Sequence, residues 1–338
     1  MICEQLRETV RAGGLFARDR PVVAMLSGGR DSTCLLDVAV ALLGPAAVSA
    51  LHVNYGLREQ SDADEEHCAQ LCQQLRVELE IVRIERDSTR RPLIAPAAAA
   101  RAADVPAADL RAQAPGNLQA WARDVRYAEA GRIARERDAL IATGHTASDQ
   151  VETILYRLTA SPGRRALLGM VASEGRLIRP LLGVGREQTA AYCEARGLRW
   201  RDDESNEDER YARARVRHGL VPALRAVHPA AEANVLRTAS LLREETELLD
   251  GLVDAELAGR TSIALARLQE LPAALARLVV VRLAEDATGT YVPQAGDRVE
   301  ELLALGRRGG RAELHLGGHA GAVLHDGALE MVKLEPRG

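Results

Sequence analysis

Short apolar runs alternate with helical spacing through the first half of the chain. Residues 22–26 form a strand-like run, and 33–43 carry apolar positions at helical spacing. Residues 48–52 read as a second strand. A helix is expected over 61–75, with Asp62, Asp64, Glu65 and Glu66 in its first turns, where the helix dipole favours acids. Strands at 77–84 and 139–143 bracket a long helix over 117–137, and Ser148 opens another helix to about Leu158. This βαβα order predicts an α/β domain built on a doubly wound parallel sheet with helices on both faces. Ligands of such sheets sit at the carboxyl ends of the strands. The loops 27–32, 52–58 and 144–153 fall there. Beyond Val184 the pattern turns helical, over 186–196, 213–226 and 230–256, with Pro222 and Pro229 as punctuation. Shorter helices are expected at 275–286 and 297–305. The tail, 311–334, alternates around Gly317-Gly318 and Asp326-Gly327 turns and reads as a small β element. Two domains follow, a catalytic one over 1–217 and a smaller helical-then-β one over 218–338. Residues 87–115, rich in Ala, Pro and Arg, read as a mobile insertion, more a linker than a lid.

Composition narrows the setting. At 338 residues and 47% hydrophobic, the chain has ample material for two cores, and with 3% aromatics they must be aliphatic. No apolar run spans a bilayer, and the N-terminus lacks the layout of a signal peptide, so a cytoplasmic location is expected. Five scattered cysteines read as reduced thiols, with Cys68 and Cys72 at i and i+4 explained by packing. Net charge is −4, yet basic charge is almost all arginine, Lys333 being the sole lysine. Arginines cluster at 164–165, 210–217 and 307–311, which offers a basic surface on a slightly acidic protein.

Two constellations carry chemistry. The first is Ser27-Gly28-Gly29-Arg30-Asp31-Ser32, between the first strand and its helix. Glycines allow close backbone approach, helix N-terminal N–H groups point at an anion, and two serines add hydroxyls. There is no Gly-Lys-Ser/Thr, so this is not the phosphate loop of kinases and GTPases. The motif resembles the pyrophosphate loop (PP-loop) of enzymes that split ATP into AMP and pyrophosphate. The second is Gly144-His145-Thr146-Ala147-Ser148-Asp149-Gln150-Val151-Glu152-Thr153, which puts Asp149 and Glu152 on one helix face. Capping by Ser148, with acids satisfying the dipole, is the alternative explanation.

Four further segments extend the pattern: Asn54-Tyr55-Gly56-Leu57-Arg58, Ala122-Arg123-Asp124-Val125-Arg126-Tyr127, Arg179-Pro180-Leu181-Leu182, and Trp200 to Asn206 followed by Arg213 to His218 and Pro222. The ordered set resembles the tRNA(Ile)-lysidine synthetase family, from about Pro21 to Pro222. The resemblance implies an adenine-nucleotide-hydrolase-like fold and ATP-dependent ligation of L-lysine to C2 of the wobble cytidine in the CAU anticodon of an isoleucine tRNA. The cytidine is adenylated first, and AMP and pyrophosphate leave. It further implies that Ser27, Gly28, Gly29, Arg30, Asp31, Ser32 and His52 bind ATP, Asp31 through Mg2+. Arg123, His145, Asp149 and Glu152 join Asp31 as catalytic positions, Asp149 and Glu152 gripping lysine. Arg126, Arg213, Arg215 and Arg217 would meet tRNA. Departures from the family pattern are Ser148, Tyr55, Gln119 and Ala214. None removes a residue assigned to chemistry.

Other readings remain. A tRNA 2-thiocytidine-type thiolating relative needs a Cys-x-x-Cys or paired catalytic cysteines, which the sequence lacks, with Cys34 expected inside a helix. A nucleotide-binding sensor would bind ATP without releasing AMP. No membrane partner is expected. The oligomeric state is open, a homodimer included.

Overall fold

A computed structural model describes residues 1–17, 19–56, 60–84, 118–160, 163–201 and 212–335. The 87–115 insertion, Arg58, Arg210 and the 202–206 part of the Trp200 to Asn206 segment lie outside the described residues.

The chain divides into two compact units. One comprises residues 1–162 and 166–236, the other 163–165 and 237–338. The first unit contains a six-stranded sheet in the order β3-β2-β1-β4-β6-β5. Its strands are β1 (Val22–Met25), β2 (Val48–Asn54), β3 (Glu78–Arg83), β4 (Leu140–Ala142), β5 (Ser173–Glu174) and β6 (Leu177–Ile178). All neighbours are parallel except β5 against β6. The helices are α1 (Ile2–Ala12), α2 (Arg30–Leu43), α3 (Ser61–Leu75), α4 (Leu118–Glu136), α5 (Ala147–Ala160), the single turn α6 (Arg164–Leu167) and α7 (Arg186–Ala195).

The sequence of β1 shows why both faces are covered. Val22, Ala24 and Leu26 enter one core with Leu35, Leu36 and Tyr192. Val23 and Met25 enter a second core with Val125, Ala128 and Ile133. A strand buried on both sides must be apolar at every position rather than at alternate ones. The chain leaves β1 toward β2 on one side, and β4 pairs with β1 on the other. The strand order therefore reverses between β1 and β4, the place where open α/β sheets bind ligands.

A helical stretch follows α7: α8 (Ala212–Arg215), a π-helical turn (Val216–Leu220) and α9 (Val221–Val227). The continuous helix expected over 213–226 is interrupted because Pro222 has no N–H to donate. Val216 and Val221 pack with Val151 and Leu155 of α5, and Leu224, Val235 and Leu236 close that cluster. This packing carries the first unit past the expected boundary at 217/218 to residue 236. The division falls inside α10 (Ala231–Leu257), a helix and not a linker.

The second unit adds β7 (Ser262–Ala264), α11 (Leu265–Glu270), α12 (Ala273–Thr288), α13 (Val299–Arg307), β8 (Ala312–Gly317), β9 (Ala320–His325) and β10 (Ala328–Lys333). Its strands form an antiparallel sheet, β7-β10-β9-β8. Alternate residues Ala320, Ala322 and Leu324 of β9 face a core shared with Val279, Val280 and Leu283 of α12. Two hairpins turn on residue pairs of positive φ, Gly318-His319 (58° and 61°) and Asp326-Gly327 (49° and 74°). That is the backbone which suits a two-residue β-turn. No helix of the described residues is long and apolar enough to cross a membrane.

Candidate functional site

The loop after β1 is shaped by its own backbone. Gly28 sits at φ +83°, and a Cβ there would lie 3.3 Å from Cys68 Sγ. Gly29 caps α2 without any side-chain cap, so the first N–H groups of the helix are left to an incoming anion. Ser32 Oγ donates to Gly29 O at 2.8 Å, accepts the Ser27 N–H at 3.2 Å and pairs with Ser27 Oγ at 3.1 Å. The Arg201 N–H closes on Gly28 O at 3.0 Å. His52, buried at the carboxyl end of β2, reaches Leu26 O through Nδ1 at 3.0 Å and lies 3.4 Å from Cys68 Sγ.

The β4 loop touches this one directly. A Cβ on Gly144 would sit 3.0 Å from Asp31 C and O and from Ser32 N, so only glycine lets the two loops approach this closely. Asp149 and Glu152, both buried in the first turns of α5, follow at once. The helix is capped by Thr146 rather than Ser148. Asp149 Oδ2 accepts from the Thr146 N–H at 2.8 Å and from its hydroxyl at 2.9 Å, while the Asp149 N–H reaches back to Thr146 Oγ1 at 3.4 Å. Thr146 and Asp149 are three apart, so the acid serves the cap as well as the cleft. Ser148 Oγ instead lies 3.4 Å from the Arg186 N–H, which donates to it.

Arginines surround the two acids. Arg213 donates to Asp149 Oδ1 at 3.2 Å and Glu152 Oε2 at 3.1 Å. Arg217 donates to both oxygens of Glu152, at 2.7 and 3.0 Å. Arg186 stands 3.7 Å from Asp149, 3.9 Å from Glu152 and 3.8 Å from Asp31. Two of the residues expected to meet tRNA, Arg213 and Arg217, are thus turned onto the acids expected to grip lysine. Arg215, between them in sequence, is exposed. Arg123 lies over the Tyr127 ring, 5.1 Å from its centroid, and Arg126 has a buried Nε without a hydrogen-bond partner among the described residues.

The local field is positive. Burial pulls the Arg123 guanidinium below its ordinary pKa, and Arg126, Arg213 and Arg179 pull it the same way. His145, largely buried, is held down to about 3 by burial first, Asp149 opposing and Arg213, Arg123 and Arg179 assisting. Its Nδ1 lies 2.8 Å from Thr143 Oγ1. Burial works to raise the Asp149 carboxyl, but Arg213, the Thr146 N–H, His145 and Arg186 outweigh it and hold it below the ordinary range. Such a cleft is poised for polyanions and keeps its histidine neutral.

Several participants carried no motif. Thr189, fully buried on α7, donates to Asp31 Oδ1 at 2.5 Å. Gln150 clamps the Met170 backbone, donating to its O at 2.8 Å and accepting from its N–H at 2.6 Å. Arg157 donates to Gly169 O and Arg179 to Val171 O, both at 2.6 Å, so three side chains hold one strap beside the cleft. The one available signal was Arg186 itself, a cation in the first turn of a helix, where the dipole disfavours it.

The cysteines are free, and Cys34, Cys68, Cys72 and Cys193 are buried. Burial pushes the Cys68 and Cys72 thiols up to about 12. Two of the departures from the family pattern are absorbed locally. Tyr55 donates its hydroxyl to Ala122 O at 2.6 Å, and Ala214 is buried.

Comparison with known proteins follows this geometry. A family model described as a PP-loop domain matches residues 3–224. The tRNA(Ile)-lysidine synthase of Pseudomonas fluorescens is 36% identical over 238 residues, covering 68% of this chain and 48% of that protein. The tRNA(Ile)-lysidine synthase of Azoarcus sp. is 35% identical over 321 residues, covering 92% of this chain and 65% of that one. The chain therefore spans about half the length of most of the curated relatives it matches. Among solved structures, the U34-tRNA thiolase NcsA from Methanococcus maripaludis, with its [4Fe-4S] cluster, superposes with a TM-score of 0.53 at 15% identity. It covers 72% of this chain and 79% of its own, a likeness of fold. With residues 3–224 matched, this chain belongs to the PP-loop family, and membership implies the use of ATP.

Proposed function

We propose that the chain ligates L-lysine to C2 of the wobble cytidine in the CAU anticodon of an isoleucine tRNA, using ATP and releasing AMP and pyrophosphate. The observation that carries this reading is the meeting of two loops at the sheet's switch point. A bare helix N-terminus suited to phosphates touches, through Gly144, a buried acid pair suited to an ammonium group. The relatives named tRNA(Ile)-lysidine synthase support the same choice of substrates.

The residues divide the work as follows. Ser27, Gly28, Gly29, Arg30 and Ser32 receive the triphosphate, with His52 beside them. Asp31 would hold Mg2+ carried on the phosphates, because a carboxylate beside a polyphosphate otherwise repels it. The carboxylate and hydroxyl oxygens there suit such a cation, and the backbone N–H groups suit the phosphates. Bound Mg2+ would neutralise phosphate charge. Arg123 stabilises negative charge developing as the cytidine is adenylated, and its own charge cannot be titrated away. Asp149 and Glu152 hold the ammonium groups of lysine, exchanging Arg213 and Arg217 for the substrate. Those arginines, with Arg126 and the exposed Arg215, then turn to tRNA phosphates. His145 is neutral and so able to accept a proton from the attacking amine. Burial first, and then the arginines, hold its basicity down, and incoming phosphates would offset the arginine part.

The thiolating alternative requires an accessible, ionisable cysteine near the cleft, but four of the five thiols are buried, and burial pushes Cys68 and Cys72 up to about 12.

The test is direct. Purified protein is incubated with ATP, Mg2+, radiolabelled lysine and a CAU-anticodon isoleucine tRNA transcript, and label in RNA is measured. Label that needs ATP and vanishes when the wobble cytidine is replaced supports the proposal. No label, with ATP binding intact, overturns lysine ligation and moves the reading to a thiolating relative or a sensor.

A further inference from the structure

The side chain of Asp31 is held by a group outside the motif. Thr189, on α7, is fully buried. Its hydroxyl stands 2.5 Å from Asp31 Oδ1 and 2.9 Å from Arg186 O. A hydroxyl has one proton to give, and the shorter contact to a charged acceptor takes it. Arg30 Nε donates both to Thr189 Oγ1 at 3.2 Å and to Asp31 Oδ1 at 3.1 Å. The three groups form a closed triangle in which each donor strengthens the next. The two bonds that reach the Asp31 carboxylate both end on Oδ1. The other oxygen, Oδ2, has only Arg186 Nε at 3.8 Å, beyond hydrogen-bond distance, and that Nε has no hydrogen-bond partner among the described residues.

We infer that Thr189 is a positioning residue for metal–nucleotide binding: its hydroxyl fixes Oδ1 of Asp31, so that Oδ2 is the oxygen presented to a divalent cation carried on a polyphosphate. The inference rests on the nucleotide half of the function proposed above and is independent of lysine and tRNA. It gives α7 a task in the site, although none of its residues belongs to the phosphate motif. A threonine serves here because its methyl fills the buried position while its hydroxyl bridges two charged side chains. Valine would keep the shape and lose the bridge. Serine would keep the bridge and lose the methyl.

The experiment is calorimetric binding of a non-hydrolysable ATP analogue across a Mg2+ titration, with wild type, Thr189→Val and Thr189→Ser, each checked by thermal melting. The expected result is a Mg2+ half-point about tenfold higher for Thr189→Val, the size of one lost hydrogen bond to a charged group. Thr189→Ser restores the wild-type half-point, and Mg2+-free affinity for the analogue is the same in all three. Equal half-points for Thr189→Val and wild type overturn the inference. So does an equal shift in both variants, which would mark a packing role. Wild-type binding indifferent to Mg2+ overturns it as well, and removes the metal from Asp31 altogether. Neither lysine nor tRNA enters the assay, so a failure of lysine ligation is read separately.

Discussion

The loop after β1 holds its shape with glycines, backbone N–H groups and two serine hydroxyls, all within six residues. The loop after β4 is held by charge. Its acids are pinned by arginines 61 and 65 residues further along the chain. The first construction keeps a site rigid and suited to an anion, with little dependence on salt. The second keeps a site filled by the protein's own cations until something displaces them. Ion pairs of this sort adjust with pH and ionic strength, whereas a backbone cradle does not. The two loops touch where Gly144 permits it, so a rigid element and an exchangeable one share a seam.

Five measurements test that contrast. The largest effect is expected from Asp31→Ala and Arg123→Ala, each lowering the rate of cytidine adenylation by about 10²–10³-fold while leaving tRNA binding largely intact. Equal loss of tRNA binding in both would refute the division of labour. Next comes Glu152→Ala. It strands Arg213 and Arg217 beside an emptied pocket, at a cost of about 2–3 kcal/mol in unfolding free energy, reduced from the fully buried case because both arginines are partly exposed. Denaturant melts measure it, and the loss should shrink in high salt. The same variant, like Asp149→Ala, should raise the lysine concentration needed for half-maximal labelling; unchanged lysine kinetics would remove these acids from the lysine pocket.

Gly28→Ala tests the rigid loop. Its φ of +83° and the nearby Cys68 Sγ predict a cost of about 1–2 kcal/mol, which salt should leave unchanged. His145 gives the pH test. Its folded-state pKa, near 3, lies below the ordinary value of 6.5, so the unfolded chain takes up the proton first as pH falls. Stability tied to this ring is therefore full above about pH 6.5 and lost between there and about 3, with a slope approaching 1.4 kcal/mol per pH unit. His145→Gln should flatten the curve between pH 6.5 and 5, above the carboxylate range. A curve as steep as wild type would show that the ring titrates freely.

The contrast also explains what could be read from the sequence. The first loop was legible because its parts are contiguous: a strand buried on both faces, a Gly-Gly turn and a helix start. The parallel sheet followed from the alternation of elements for the same reason. Arg213 and Arg217 were visible as a cluster, but a cluster does not say which way it faces. Nearby sequence offers tRNA as the natural partner, and only folding reveals two buried acids that need cations. Thr146 was passed over for Ser148 because a cap is decided by where the helix begins, two residues earlier than a Ser148 cap implies. Thr189 left no trace at all, since a threonine on an amphipathic helix is unremarkable until its neighbour across the fold is known.

The small apolar cluster under α5 bears on how this protein could be cut into pieces. A fragment ended at residue 217, the expected domain boundary, would retain nearly every polar group of the cleft. It would lack Val221, Leu224, Val235 and Leu236, the residues that pack against Val151 and Leu155 on the helix carrying Glu152. Such a fragment would have its chemistry intact and its footing removed. The shortest catalytic piece worth expressing therefore runs to residue 236, the last of the first unit, and its new terminus lies within a helix.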